Sequence, residues 1–146
     1  MLEMAIERID INLRIGPDVV DLTAGIQAAV DRSGVADGFV SAFVVGSTGS
    51  ITTIEFEPGV VEDLKDAVNC LAPPERDYAH ERAWHDGNGH SHVQAALMGP
   101  SITIPVRRGR LRLGTWQQVV VVNHDNRARK RAVEITIVGQ KSADRR

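Results

Sequence analysis

The sequence predicts an α+β fold: a mostly antiparallel β-sheet or sandwich of about eight strands, with two helices in the N-terminal half. Three observations lead there. Valine and isoleucine are frequent and clustered while aromatic residues make up 4% of the 146 residues, so the core is aliphatic and β-branched, which favours strands. Two early segments repeat apolar residues at three- and four-residue spacing, the period of an amphipathic helix. The late strands follow one another across short turns that leave no room for the crossovers of a parallel sheet.

Residues 4–15 read as a strand through Ile6, Ile9, Ile11 and Leu13, broken by Gly16-Pro17-Asp18. Residues 18–31 read as a helix, with Val19, Leu22, Ile26 and Val30 on one face and Gly34 as its stop. Strands are expected at 38–46 and 50–56. Pro58 then suits a first helical position, and Val61, Leu64, Val68 and Leu71 mark the second helix. Residues 72–89 hold Pro73-Pro74 and Gly87-Asn88-Gly89 with few aliphatics, and read as a long loop of the functional kind. Strands follow at 90–97, 101–106, 110–113, 116–123 and 131–138, and residues 141–146 read as a solvated tail. With no repeat and no linker, residues 1–146 form one domain.

Composition excludes several classes. A formal net charge of −2 gives no general attraction to nucleic acid or to an anionic membrane surface. No apolar run is long enough to span a bilayer, and the N-terminal residues lack the continuous apolar stretch of a signal peptide. The single cysteine, Cys70, cannot make an internal disulfide, so a cytoplasmic setting is expected.

The chemistry concentrates in DYAHERAWHDGNGHSH (77–92), which holds four of the five histidines, His80, His85, His90 and His92. His90 and His92 open an expected strand, where residues two apart share a face, so both imidazoles can converge on one ligand or metal, with His80 joining from the loop. Asp63, Asp86 and Glu55 can complete a divalent site. A solvated loop with histidines at strand ends explains the same residues. The stretch from His80 to His85 imitates a metalloprotease signature but has one residue too many between its histidines.

In LRLGTWQQV (111–119), Thr115 and Gln117 share one face of an expected strand and can hydrogen-bond a ligand. The alternative is that Trp116 is simply a core residue with a polar outer face. Arg107, Arg108 and Arg110, and then Arg127, Arg129, Lys130 and Arg131, flank two hairpins. Such forks suit phosphate, or simply keep hairpin tips soluble. In GSTGSITTIEFEPG (46–59), the helix start near Pro58 can face an anion or be an ordinary turn and cap. There is no P-loop, no dinucleotide fingerprint and no nucleophile elbow.

The combination Tyr78-x-His80, GNGHSH (87–92), LMGPSITIPV (97–106) and GRLRLGTWQQVVVVNHDNRAR (109–129), preceded by DLT (21–23), SGVADG (33–38) and TTIEFEPGVVEDL (52–64), resembles the YjbQ-like family, sometimes called secondary thiamine-phosphate synthase. The resemblance covers nearly the whole chain. It implies a homotrimer with a polar pocket near the subunit boundary, and a weak transferase activity that couples a pyrimidine diphosphate to a thiazole phosphate. Carried over residue by residue, it implies catalytic roles for His92, His80, Asp63 and Glu55, and substrate contacts from Asn88, Ser101, Thr115, Trp116, Gln117, Arg129 and Arg131. His80, His90 and His92 are the expected ligands of a divalent cation, zinc or magnesium, and a small anionic or phosphorylated metabolite is the expected partner. A trimeric binding module for such a metabolite, or a metal-dependent hydrolase, are the alternatives. The chain departs from the family at Ser47, where many relatives place a histidine, and serine cannot replace imidazole as a base.

Overall fold

The structure, a computed structural model, describes residues 1–143, so the end of the expected tail lies outside the described residues. The elements run β1 (Glu3–Leu13), β2 (Asp18–Asp21), α1 (Thr23–Ser33), β3 (Val35–Val45), β4 (Gly49–Ile54), α2 (Pro58–Leu71), α3 (Glu81–Trp84), α4 (Gly89–Met98), β5 (Ser101–Arg107), β6 (Arg110–Leu111), β7 (Gln118–Asn123) and β8 (Arg129–Lys141). Every strand pairing is antiparallel. A five-stranded sheet in the order β1-β8-β3-β5-β6 faces a three-stranded sheet in the order β2-β7-β4. The expected α+β architecture is present.

The layers follow from which residues alternate and which do not. Val40, Ala42 and Val44 of β3 and Val133, Ile135 and Ile137 of β8 point to one face of the large sheet, as the two-residue period of a strand requires. They meet Ile51 of β4, Val119 and Val121 of β7, and Ile26, Ala29 and Val30 of α1. The other face of β7, Val120 and Val122, packs with Val19 under Val61 and Leu64 of α2 and Met98 of α4. A strand covered on both faces has no solvent side, which is why β7 is an unbroken valine run rather than an alternating one.

Five expectations are corrected. Residues 18–21 are a strand, because Val19 and Val20 pair with Val122 and Val121, and the helix begins only at Thr23. Asp21 closes that helix start by accepting from the Thr23 amide and hydroxyl at 2.8 and 2.6 Å. Residues 90–97 are helix α4 rather than a strand. The run HVQAALM holds good helix formers, and the outer face of the small sheet needs a helical cover. The expected loop at 72–89 contains the short helix α3. At 116–123 the strand starts only at Gln118, and the expected strand at 110–113 shrinks to Arg110–Leu111.

Candidate functional site

Three segments converge: the β3–β4 turn, the α3–α4 segment, and the connection into β8. Together they line an open cleft of about 530 Å³. The turn contributes Gly46, Ser47 and Thr48; the helical segment contributes His80, Trp84, Asp86, Asn88 and His92; the connection contributes Asp125, Arg129, Lys130 and Arg131.

Arg131 is the buried cation of the site, 5% exposed. Its Nη2 donates to Thr48 Oγ1 and to Asn123 Oδ1, both at 2.6 Å, and its Nε donates to Asn123 Oδ1 at 3.2 Å. The backbone of the β3–β4 turn lies against this guanidinium. A Cβ on Gly49 would sit 2.8 Å from Arg131 Nε, and one on Gly46, at φ 135°, would sit 2.9 Å from Nη1. Only glycine permits that approach. Among the described residues Nη1 has no hydrogen-bond partner, and the residue borders the cleft. Burial lowers the Arg131 pKa from its ordinary value while Asp125 opposes the shift, and a guanidinium stays charged throughout the range of interest.

Asp125 balances this charge. Burial pushes its pKa up, but hydrogen bonds from the side chains of Thr48, Arg129 and Asn88 and from the Arg127 amide outweigh burial and hold it below the usual carboxylate range. Thr48 Oγ1 donates to Asp125 Oδ2 at 2.9 Å, and Arg129 Nε lies 3.0 Å from the same oxygen. Asn88 is used internally: its Oδ1 accepts from Ser91 Oγ and from the Asn126 amide.

The imidazoles of His80 and His92 approach to 4.6 Å between ring centroids at 40°. His80 Nδ1 is buried without a hydrogen-bond partner, 3.5 Å from Asp86 Oδ1 and 3.9 Å from Glu81 Oε1. Donor atoms of His80, Glu81 and Asp86 all lie within 4.8 Å of one another. Both carboxylates also serve the backbone: Glu81 accepts from the amides of Gly87 and Gly89 at 2.8 and 3.3 Å, and Asp86 from that of Asn88 at 3.1 Å.

His90 does not join them. In a helix, residues two apart point about 200° from each other, so His92 borders the cleft while His90 turns inward, 7% exposed. The expected convergence of His90 with His92 rested on a strand and is overturned with it. Burial lowers the His90 pKa, and its Nδ1 has no partner.

Other sequence candidates lie elsewhere in the chain. Thr115, Trp116 and Gln117 precede β7, whereas Asp125 follows it, so roughly 20 Å of strand separates them from the cleft. Trp116 is 73% exposed and is no core residue. Gln117 donates to Thr53 Oγ1 at 3.0 Å and accepts from the Gly114 amide at 3.1 Å. Asp63, Glu55 and Ser101 are exposed and do not border the cleft. The start of α2 is occupied by Glu57, whose carboxylate accepts from the Gly59 and Val60 amides at 2.8 and 2.9 Å, so that end of the helix holds its own anion.

Sequence reasoning missed His124, which is 1% exposed behind the cleft. Its Nδ1 lies 2.9 Å from Gln94 Oε1 and its Nε2 2.7 Å from Ser50 Oγ. The Gln94 Nε2 donates to Val68 O, Asn69 Oδ1 and Ala72 O, which fixes the amide. His124 Nδ1 must therefore donate, and Nε2 accepts from Ser50. Desolvation, with the charge of Arg131 and of His90, pushes its pKa down to about 4. A signal existed: Asn123-His124-Asp125 are three polar residues closing a strand of four valines.

A family model described as "UPF0047 protein YjbQ-like" matches residues 7–140. A UPF0047 protein of Mycobacterium bovis is 34% identical over 120 residues, 82% of this chain and 91% of its own length. One from Archaeoglobus fulgidus is 30% identical over 116 residues, covering 80% and 88%. A crystal structure from Sulfolobus solfataricus, described as a YbjQ-like protein of unknown function, superposes with a TM-score of 0.91 at 29% identity, covering 96% of this chain and 100% of that one.

Proposed function

Because the chain belongs to the YjbQ-like UPF0047 family, we propose that its cleft takes a small phosphorylated metabolite and acts on it at His80 and His92. One observation carries this reading: a buried guanidinium with an unpartnered nitrogen in the same cleft as two adjacent imidazoles. Fixed charge in a partly dry site is worth most when negative charge grows during a reaction. Arginine matches a phosphate oxygen geometrically as well as electrically.

The reaction is a transfer of the thiamine-phosphate-synthase kind. A thiazole-phosphate nitrogen bonds to the methylene carbon of a pyrimidine diphosphate, and the carbon–oxygen bond breaks with its electron pair leaving on pyrophosphate. Arg131, Arg129 and Lys130 hold the departing charge, and His92 handles a proton or orients the ring. His80 Nδ1 with Asp86 and Glu81 forms the set that would hold a divalent cation, whose chemistry is to neutralise phosphate charge. One imidazole beside carboxylates suits zinc better than magnesium, which prefers oxygen alone. His90 drops out of that set. Elemental analysis tests it: His80→Ala should lose the bound metal, and equal metal content in wild type and His80→Ala would remove the cation from the account.

The functional unit is a homotrimer. Met4, Val138, Phe39 and Pro105 stand in register across four strands of the large sheet, on the face turned away from the core. Ile6, Phe43 and Val45 extend this exposed apolar surface, which is larger than isolated surface residues explain. A neighbouring copy would also supply Thr115, Trp116 and Gln117, which their own protomer keeps away from its cleft. Sedimentation equilibrium at micromolar protein should return three times the chain mass, and a clean monomer would contradict this.

A thermal-shift screen of phosphorylated metabolites, followed by turnover assays on the stabilising compounds, tests the function. Stabilisation with turnover that falls in His92→Ala supports the enzyme. Stabilisation without turnover makes the protein a binding module. Turnover by hydrolysis alone makes it a hydrolase. Thiamine phosphate formed no faster by wild type than by His92→Ala would end the synthase reading.

A further inference from the structure

We propose that Trp84 is the specificity-determining residue of the cleft, selecting ligands that carry a planar ring beside their anionic group. The inference rests on the phosphate-binding reading above and adds to it the chemistry of the rest of the ligand.

Among the described residues, Trp84 is the only large apolar side chain bordering a cleft otherwise built from small, polar and charged groups. It is 71% exposed, so it contributes almost nothing to the core. An indole left in water beside imidazoles and a guanidinium is unexplained by folding and well suited to stacking.

Its mounting is firm. Trp84 ends α3, and the next residue, His85, closes that turn in the left-handed conformation at φ 50° with its amide bonded to Glu81 O at 3.0 Å. Glu81, at the start of the turn, is itself tied to the α3–α4 turn through the Gly87 amide and to the first residue of α4 through the Gly89 amide. Tyr78, just before, donates its hydroxyl to Pro73 O at 2.8 Å. The indole is thus carried on a segment braced at both ends and adjoining His80, so stacking on it requires little ordering of backbone, which favours binding.

The cleft volume, about 530 Å³, lies in the range that holds one small organic ligand rather than a bare anion. Polar groups would fix the charged end, and Trp84 offers the largest aromatic face among the described residues lining the cleft. Stacking of this kind tolerates many rings, since each has a π-face. Trp84 therefore selects for planarity and leaves the ring's substituents to other contacts.

Calorimetric titration with phenyl phosphate and with inorganic phosphate separates the two ends of the ligand. Wild type should prefer phenyl phosphate. Trp84→Ala and Trp84→Leu should bind it about tenfold more weakly while holding inorganic phosphate as before, and Trp84→Phe should keep most of the preference. Phosphate binding that persists with an unchanged preference in Trp84→Ala would overturn the inference alone. A preference unchanged in Trp84→Ala but with altered assembly mass would assign the indole to a subunit contact, which also overturns it. Absence of phosphate binding in every protein would overturn the anion reading and this inference together.

Discussion

Lowering the pH from 7 to 4 is expected to remove about 3 kcal/mol of folding stability through His124 alone. The folded pKa is pushed from the ordinary 6.5 to about 4, first by desolvation and then by the charges of Arg131 and His90. Above 6.5 the ring is neutral in both states and its contribution is fully present. As the pH falls through 6.5 the unfolded chain takes up a proton that the folded chain refuses, so stability declines until the pH passes the folded value. His90, whose pKa is also lowered by burial, adds to the slope in the same direction. The Asp125 carboxylate, held below its ordinary value, loses its contribution only at lower pH. Urea denaturation across pH isolates His124 by comparison with His124→Gln. The variant should be less stable at pH 7 by about 1–3 kcal/mol, because Ser50 and Gln94 lose buried partners. Its profile between pH 7 and 4 should be flatter, so that the two curves approach each other in acid. Parallel curves would mean that His124 is not a buried neutral base.

The second large effect is expected at Arg131. Arg131→Gln should weaken binding of a phosphorylated ligand about thirtyfold or more, the loss of a charge-assisted hydrogen bond. It should also destabilise the fold, because Thr48 and Asn123 lose their buried donor and Asp125 loses its nearest buried cation. Arg131→Lys keeps the charge and loses the fork, so it should recover stability in part and affinity little. Arg129→Gln is the contrasting case. Its side chain is 45% exposed in its pair with Asp125, and the expected stability change is below about 1 kcal/mol. Calorimetry with pyrophosphate and urea denaturation of the three variants give both readouts. Equal affinities in wild type and Arg131→Gln would place the anion elsewhere.

The strands of the large sheet were legible because alternation survives where one face is buried and the other is not, as in Phe39–Val45 and Ala132–Val138. Position 90–97 was not legible in the same way. His90 and Ser91 are buried polar residues at the start of α4, and they masked the helical pattern of Gln94, Ala95 and Met98. On a strand His90 would share a face with His92, whereas on helix α4 the two diverge. Val19 and Val20 fitted a helical period as well as a strand, and only pairing with β7 decides between them. In the cleft, the histidine-dense stretch supplies two of the lining side chains, His80 and His92. Composition alone groups Arg131 with Arg127, Arg129 and Lys130 as one basic hairpin cluster and does not mark it as the buried member. What distinguishes it is the two-residue period of β8, which sends Arg131 inward with Val133, and the glycines at 46 and 49, distant in sequence, that leave room for it. His124 was hidden for a similar reason: its partners Ser50 and Gln94 come from other elements.

The most direct test of the account is a crystal structure of the protein with pyrophosphate. The account predicts density within hydrogen-bond distance of Arg131 Nη1, in the cleft bordered by His80 and His92. Pyrophosphate bound instead at the Arg107–Arg110 hairpin, or a cleft without it under saturating conditions, would contradict the assignment of this cleft as a phosphate-ligand site.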